Sequence, residues 1–302
     1  MKQNNDLEVI NQIYKPYKYI IKGNVKILKC HDKDIVIKPK NDLIYERYSY
    51  LSSRGFDNYI PIIDSDRKSY DIYPYVYEDN IPIQQKANDL ARVVALLHAK
   101  TSYNKDVDQN TYDDIYNTLV NNCDYIKEYY SNLYDELFPI KYHKPHEIMF
   151  LDNYSKINNA ILFSKNELEK WYMLISNKKN QRVALIHNNL KLEHYLKSNN
   201  DYLISFDKSR FDTPVIDLYK LYKKEYNNLN FSEVLNNYLY HFNYNDDELK
   251  LFFVLITIPD EIIFNSDNFT NLQSIYNLCN YINKTEELVR PYYSNNEEKE
   301  EA

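Results

Sequence analysis

Glycine is nearly missing from this chain: Gly23 and Gly55 are the two in 302 residues. A G-x-G-x-x-G loop needs several glycines to bring its backbone against phosphates, so that device is excluded. Cysteine is sparse as well. Cys30, Cys123 and Cys279 are odd in number and far apart, which argues against a disulfide framework and against zinc-ligand spacing. A reducing compartment is expected. No apolar run approaches the ~20 residues needed to span a bilayer. The longest, Leu249 to Pro259, reads as a core helix. The opening MKQNNDLEVI is polar, so no signal peptide and synthesis in the cytoplasm are expected. Acids outnumber bases 44 to 37, a net charge of −7, and the clustered basic surface of a nucleic-acid binder is not expected. No membrane partner is expected either.

Tyrosine is abundant, with 33 residues. That fits either the compositional bias of an AT-rich genome or a Tyr-rich surface suited to assembly, since tyrosine is enriched at interfaces. The hydrophobic fraction of 44% supports a folded core. The end of the chain, Glu297 to Glu301, is acidic, and residues 291–302 are expected to be a disordered tail.

The hydrophobic pattern divides the chain in two. Residues 1–77 read as a small sheet with one helix. From 78 to 290 helices dominate. Apolar residues recur at helical spacing over 87–98, from Tyr112 to Leu133 and from Ile157 to Ile175, and further helices are expected near 231–242, 246–258 and 268–288. The expected fold class is α+β: a two-lobed architecture with a small antiparallel-sheet N-lobe and a mainly helical C-lobe.

The most informative segment is 183–222, VALIHNNLKLEHYLKSNNDYLISFDKSRFDTPVIDLYKLY. Val183–Ile186 reads as a buried strand, and His187 opens a polar loop. Tyr202–Phe206 reads as a second strand, followed by Asp207, a loop with Asp212 and Pro214, and a helix near Asp217 that Asp217 is expected to cap.

This order resembles the catalytic region of the aminoglycoside and choline kinase-like proteins, which have a protein kinase-like fold. Their loop reads H-G-D-x-x-x-x-N, with the Asp as catalytic base and the Asn on magnesium. A second Asp, in a segment like I-D-F-D, holds another magnesium. Here the loop is His187-Asn188-Asn189-Leu190-Lys191-Leu192-Glu193-His194, and the segment is Ile204-Ser205-Phe206-Asp207. Asn189, His194 and Ser205 therefore stand at the three functional positions, and none is the family's residue. The run from Asp207 through Phe211, Asp212, Pro214, Asp217, Leu218, Lys220 and Leu221 resembles the spore coat CotS branch of that superfamily. In the N-terminal part, Ile35–Lys38 resembles the strand whose lysine, here Lys38, contacts nucleotide phosphates, with Glu46 as its implied ion-pair partner. His187 and Asp217 carry over as structural residues. Leu90 to His98 resembles the helix that opens the large lobe.

An amide such as Asn189 is not a general base, and losing a positioned base costs on the order of 10²–10⁴ in rate. Magnesium prefers carboxylate oxygens to an imidazole or a neutral hydroxyl. The degenerate motif therefore implies a pseudokinase, and the resemblance to the CotS branch implies a scaffold among spore coat proteins, located in the coat. A phosphotransferase with relocated ligands, using Lys38 for phosphates and Asp207 with Glu193 or Asp212 for magnesium, stays open. So does ATP binding, with or without magnesium, without transfer.

Overall fold

The computed structural model describes residues 2–64 and 69–293; the acidic tail expected over 291–302 lies almost wholly outside them. Along the chain run α1 (Lys2–Tyr14), β1 (Pro16–Lys22), β2 (Val25–Cys30), β3 (Ile35–Pro39), α2 (Asp42–Ser53), β4 (Tyr70–Pro74) and α3 (Ile83–Thr101). Next come β5 (Tyr103–Asp106), α4 (Gln109–Leu137), α5 (Pro145–Ile175), β6 (Asn180–Ile186), β7 (Tyr195–Lys197), β8 (Asp201–Leu203) and β9 (Arg210–Asp212). The chain continues with α6 (Val215–Glu225), α7 (Phe231–His241), α8 (Asp246–Thr257) and α9 (Asn268–Val289). Two compact units result: Met1–Thr101 with His187–Arg210, and Ser102–Ile186 with Phe211–Ala302.

In the first unit, β1-β2-β3-β4 form an antiparallel sheet in sequence order. Both glycines are used where the backbone turns left-handed. Gly23, at φ +57°, makes the two-residue turn with Asn24 between β1 and β2, so Lys22 pairs Val25. Gly55, at φ +68°, ends α2, while the Phe56 N–H reaches back to the Leu51 carbonyl at 2.9 Å. Asn41 caps the start of α2 by accepting the Leu43 N–H at 3.1 Å. Leu28, Ile35, Ile37 and Ile72 alternate onto one face of the sheet. They pack with Ile10 of α1, whose Leu7 and Tyr14 lie at helical spacing around it. The sequence pattern did not foretell α1.

Segment 187–210 belongs to this unit because it is tied into it. The Leu203 N–H donates to the Asn58 carbonyl at 2.8 Å, the Asp79 N–H to the Lys197 carbonyl at 2.8 Å, and the Asn58 amide to the Asp201 carbonyl at 2.9 Å. The Asp201 carboxylate receives the Tyr195 hydroxyl at 2.6 Å, the Lys197 ammonium at 2.7 Å and the Arg92 guanidinium. The helix expected to open the large lobe, α3, thus sits in one compact unit with the sheet, and space rather than sequence draws the division.

The second unit packs α4, α5 and α9 around Ile126, Tyr130, Phe150, Ile157, Ile161, Ile275 and Ile282. The helices expected over 231–242, 246–258 and 268–288 are α7, α8 and α9 within a residue or two. Strands β5 and β6 pair antiparallel, and β9 completes their sheet. All three cysteines are buried and free. Among the described residues no helix is long and apolar enough to cross a membrane.

Burial alone would raise the pKa of Asp201, but the hydrogen bonds from Lys197, Tyr195 and Arg92 outweigh it and hold it down at about 2. A carboxyl lowered from an ordinary value of about 3.9 adds stability that is complete above that value and is lost as the pH falls toward about 2. Asp201→Asn should therefore cost about 2 kcal/mol at neutral pH and flatten the acid limb of the stability curve. Urea melts across that pH range read the difference; parallel acid limbs for the two proteins would contradict it.

Candidate functional site

The inner face of the first unit gathers tyrosines around one lysine. Cross-strand pairing sets Lys38 of β3 opposite Asp71 of β4, and Val36 opposite Tyr73. The Lys38 ammonium lies 5.3 Å from the centre of the Tyr73 ring. From α2, the Tyr45 hydroxyl donates to the buried Asp71 carboxylate. Tyr48 stacks on Tyr59 at 4.4 Å between centroids and meets the edge of Phe206 at 6.2 Å. Burial pushes the Lys38 ammonium down from its ordinary value, and the charge of Asp207 opposes that shift. Burial first, and then nearby carboxylates that include Asp71 and Asp207, push the Tyr48 and Tyr73 phenols far up, so both stay protonated.

Glu46 is not part of this group. It is exposed on α2 and makes no ion pair with Lys38. Helix geometry gives the reason: Ile44 and Leu51 mark the buried face, Tyr48 shares it, and Glu46 is turned about 200° away from Ile44. The carboxylate charge that reaches Lys38 comes from Asp207 instead. The sequence held a signal for the outward place of Glu46, though not for Asp207. The spacing Ile44, Tyr48, Leu51 puts a tyrosine inward, and the alternation of β3 and β4 sets Asp71 beside Lys38.

The loop after β6 closes on itself. His187 is fully buried, and its Nε2–H donates to the Ile204 carbonyl at 2.7 Å. Its ring lies 5.4 Å from His194 and 5.3 Å from Phe206. Asn188 stands at the glycine of the family's pattern with φ +61°, a conformation asparagine tolerates better than most residues, and its amide donates to the Lys208 carbonyl at 2.9 Å. Asn189 presents its backbone carbonyl to the His194 Nδ1–H at 2.8 Å. Burial, and next the neighbouring His187, lower the pKa of His194, which is therefore neutral at neutral pH. Glu193 is exposed and pairs with Lys191 at 2.9 Å. Strand β8 ends at Leu203, sooner than expected, because Ser205 turns left-handed (φ +69°, ψ +50°) and opens a 3₁₀ turn over Phe206–Lys208. The turn buries Phe206 and leaves Asp207 exposed.

In the second unit, Asp212 accepts the Thr213 N–H at 2.8 Å and shapes the turn before α6. Asp217 does not cap α6. Pro214 is at the cap, and Asp217 lies in the first turn, fully buried, where its charge helps burial raise the phenols of Tyr238 and Tyr244.

These donors fit magnesium poorly. His194 offers a neutral imidazole, Ser205 a hydroxyl, and Asp207 a single exposed carboxylate; a magnesium site wants several hard oxygens. Among the described residues no group of three or more His, Cys, Asp or Glu side chains is placed to hold a metal ion. The group can place one cation, Lys38, opposite Asp71 and beside the phenols of Tyr48 and Tyr73.

No protein-family profile matches the chain. No curated protein matches it either. Solved structures do. The chain is similar to an aminoglycoside phosphotransferase of Alicyclobacillus acidocaldarius, with 11% identity over 95% of this chain and 96% of that one and a TM-score of 0.67. It is also similar to the AMP-bound complex of a spectinomycin phosphotransferase, with 14% identity, coverage of 93% and 97%, and a TM-score of 0.53.

Left-handed backbone at a residue with a Cβ costs about 1 kcal/mol. Ser205→Gly should raise the melting temperature by the equivalent of about 1 kcal/mol, and the β-branched Ser205→Val should lower it by more. Calorimetry of the two variants checks the order; a loss on substitution by glycine would show that the hydroxyl, not the backbone, sets this position.

Proposed function

We propose that this chain, which has an α+β kinase-like fold, uses that fold for binding and not for phosphoryl transfer: a pseudokinase. The observation that carries the reading is the closed loop at 187–194. The residue at the position of the catalytic base is Asn189, an amide with no basic lone pair, and its own carbonyl is held by the ring of His194, the residue at a metal-ligand position. On the resemblance of the run from Asp207 to Leu221, the binding role is that of a scaffold among spore coat proteins. The AMP in the spectinomycin phosphotransferase complex supports a nucleotide as the first ligand to test. Lys38 would face its phosphates, and no step of chemistry is assigned to it.

A second reading has one observation in its favour. The carboxylate of Asp207 reaches Lys38 electrostatically, so a nucleotide with one metal ion would meet both a cation and an oxygen donor. In that case the protein is an ATP- and magnesium-dependent phosphotransferase acting on an alcohol group, with relocated ligands.

Two measurements separate the readings. With γ-labelled ATP and magnesium, the wild-type protein should release and transfer phosphate no faster than buffer. Turnover above that background would end the pseudokinase reading. In a thermal-shift titration, a bound nucleotide at 100-fold over its dissociation constant should add about 2.7 kcal/mol of stability. A shift indifferent to EDTA fits binding without chemistry. A magnesium-dependent shift that Asp207→Ala abolishes favours the phosphotransferase.

A further inference from the structure

Charge along the chain is uneven. Between Glu8 and Asp32 there are five lysines (Lys15, Lys18, Lys22, Lys26 and Lys29) and no acidic residue, in a chain where acids outnumber bases. These lysines are not equivalent. Lys29 is held by Asp34 at 2.7 Å and lies over the rings of Tyr75 and Tyr77, and Lys26 lies over Tyr70. Lys15, Lys18 and Lys22 are exposed, and none of them pairs with an acidic group among the described residues. Lys18 and Lys22 lie on β1, which has β2 on one side and no strand on the other among the described residues. The same strand exposes large apolar side chains: Tyr17 is 63% accessible, Tyr19 45% and Ile21 68%.

Register sorts these side chains onto two faces. Lys18 pairs Lys29, Ile20 pairs Ile27 and Lys22 pairs Val25, so Lys18, Ile20 and Lys22 share one face. Tyr19 pairs Leu28 and Ile21 pairs Lys26 on the other. An edge strand presents a row of backbone donors and acceptors that a further strand can extend. Self-pairing of two such edges is opposed, because each brings lysines and no acid, and like charges set opposite each other destabilise a sheet. The complementary strand must be acidic on the face of Lys18 and Lys22 and apolar on the face of Tyr19 and Ile21.

We infer that β1 is a docking edge for an extended acidic segment of a different polypeptide, in which acidic and apolar residues alternate. Such a partner gains main-chain hydrogen bonds along Pro16–Lys22, ion pairs to Lys18 and Lys22, and cover for Tyr19 and Ile21. Lysines on a sheet edge are also a common guard against unwanted pairing. The same charges that repel a second copy select a partner of opposite sign, which is how specificity is obtained by repulsion as well as attraction.

The test uses the full-length protein and a fluorescein-labelled synthetic peptide in which glutamate alternates with valine. A control peptide has the same composition with its glutamates and valines in separate blocks. Anisotropy at low salt should show the alternating peptide binding at least about tenfold tighter than the control, because only it can form the cross-strand pairs. The double variant Lys18→Glu, Lys22→Glu should lose about tenfold or more of that affinity. Hydrogen exchange should show new amide protection within residues 16–22 on binding. Equal binding of the two peptides would overturn the inference by reducing it to charge alone. Protection of the strand by phosphatidylserine vesicles or duplex DNA, with none from the alternating peptide, would overturn it in favour of those ligands. Concentration-dependent dimerisation that protects the same residues would overturn it in favour of a second copy.

Discussion

Asp201 anchors the part of the molecule on which any function of this fold turns. Its carboxylate gathers Tyr195 and Lys197 from its own hairpin and Arg92 from α3, more than a hundred residues earlier in the chain. Tyr195 is fully buried, so its hydroxyl must find an acceptor, and Asp201 supplies it. With Asn58 holding the backbone on either side, the short β7–β8 hairpin becomes a fixed strut. The loop at 187–194 and the turn at 205–208 join that strut at one end, where Tyr195 pairs Leu203 and the Ile204 N–H donates to the His194 carbonyl at 2.9 Å. Their geometry follows from an ion-pair network placed where each partner is only partly exposed, and pairs of that kind contribute more than surface ones.

Scarcity of glycine constrains the same region. The chain spends its two glycines on a hairpin turn and a helix end. Asn188 and Ser205, in the candidate site, must then turn left-handed with a Cβ in place. Asparagine does so at little cost and recovers part of it through its side-chain bond to Lys208. Serine does so at greater cost. Strain of this kind persists only where the surroundings over-determine the backbone. Here the packing of Phe206 against Tyr48 and His187 does so.

Much of the fold was legible in the sequence, for physical reasons. Helices α7 and α9 bury one face each, so their apolar period is clean, and α8 is buried nearly all round from Leu251, so it reads as an apolar run. Strand β6 reads as a strand because Val183–Ile186 is buried throughout. The N-terminal helix α1 was not legible: among its described side chains Leu7, Ile10 and Tyr14 meet the core, but the exposed Ile13 and the apolar Val9 blur the period. Strands β5, β7, β8 and β9 have three or four residues each, too few for a period to show. In the site, the loop residues were legible by their order. The identity of the charge near Lys38 was not. Glu46 is a good partner by analogy, but its place on α2 turns it to solvent, and the carboxylate that reaches Lys38 lies about 170 residues downstream. The basic edge strand was hidden for another reason: net charge averages over the chain, and a local run of lysines vanishes into a total of −7.

The pseudokinase reading proposed above has a physical basis in loop 187–194. A loop that holds metal ions depends on them to offset the repulsion of its own carboxylates. Replacing acids by Asn189 and Ser205 removes that repulsion, and placing His194 opposite the Asn189 carbonyl gives the loop a bond of its own. Burial keeps the imidazole neutral, so no new charge is buried in exchange. On the pseudokinase reading, Asp207 and Lys38 are no longer tied to magnesium and phosphate, and exposed residues of the sheet are free to serve another role. On the binding role proposed above, an edge strand such as β1, which pairs with β2 and with no other strand among the described residues, is where a partner can add.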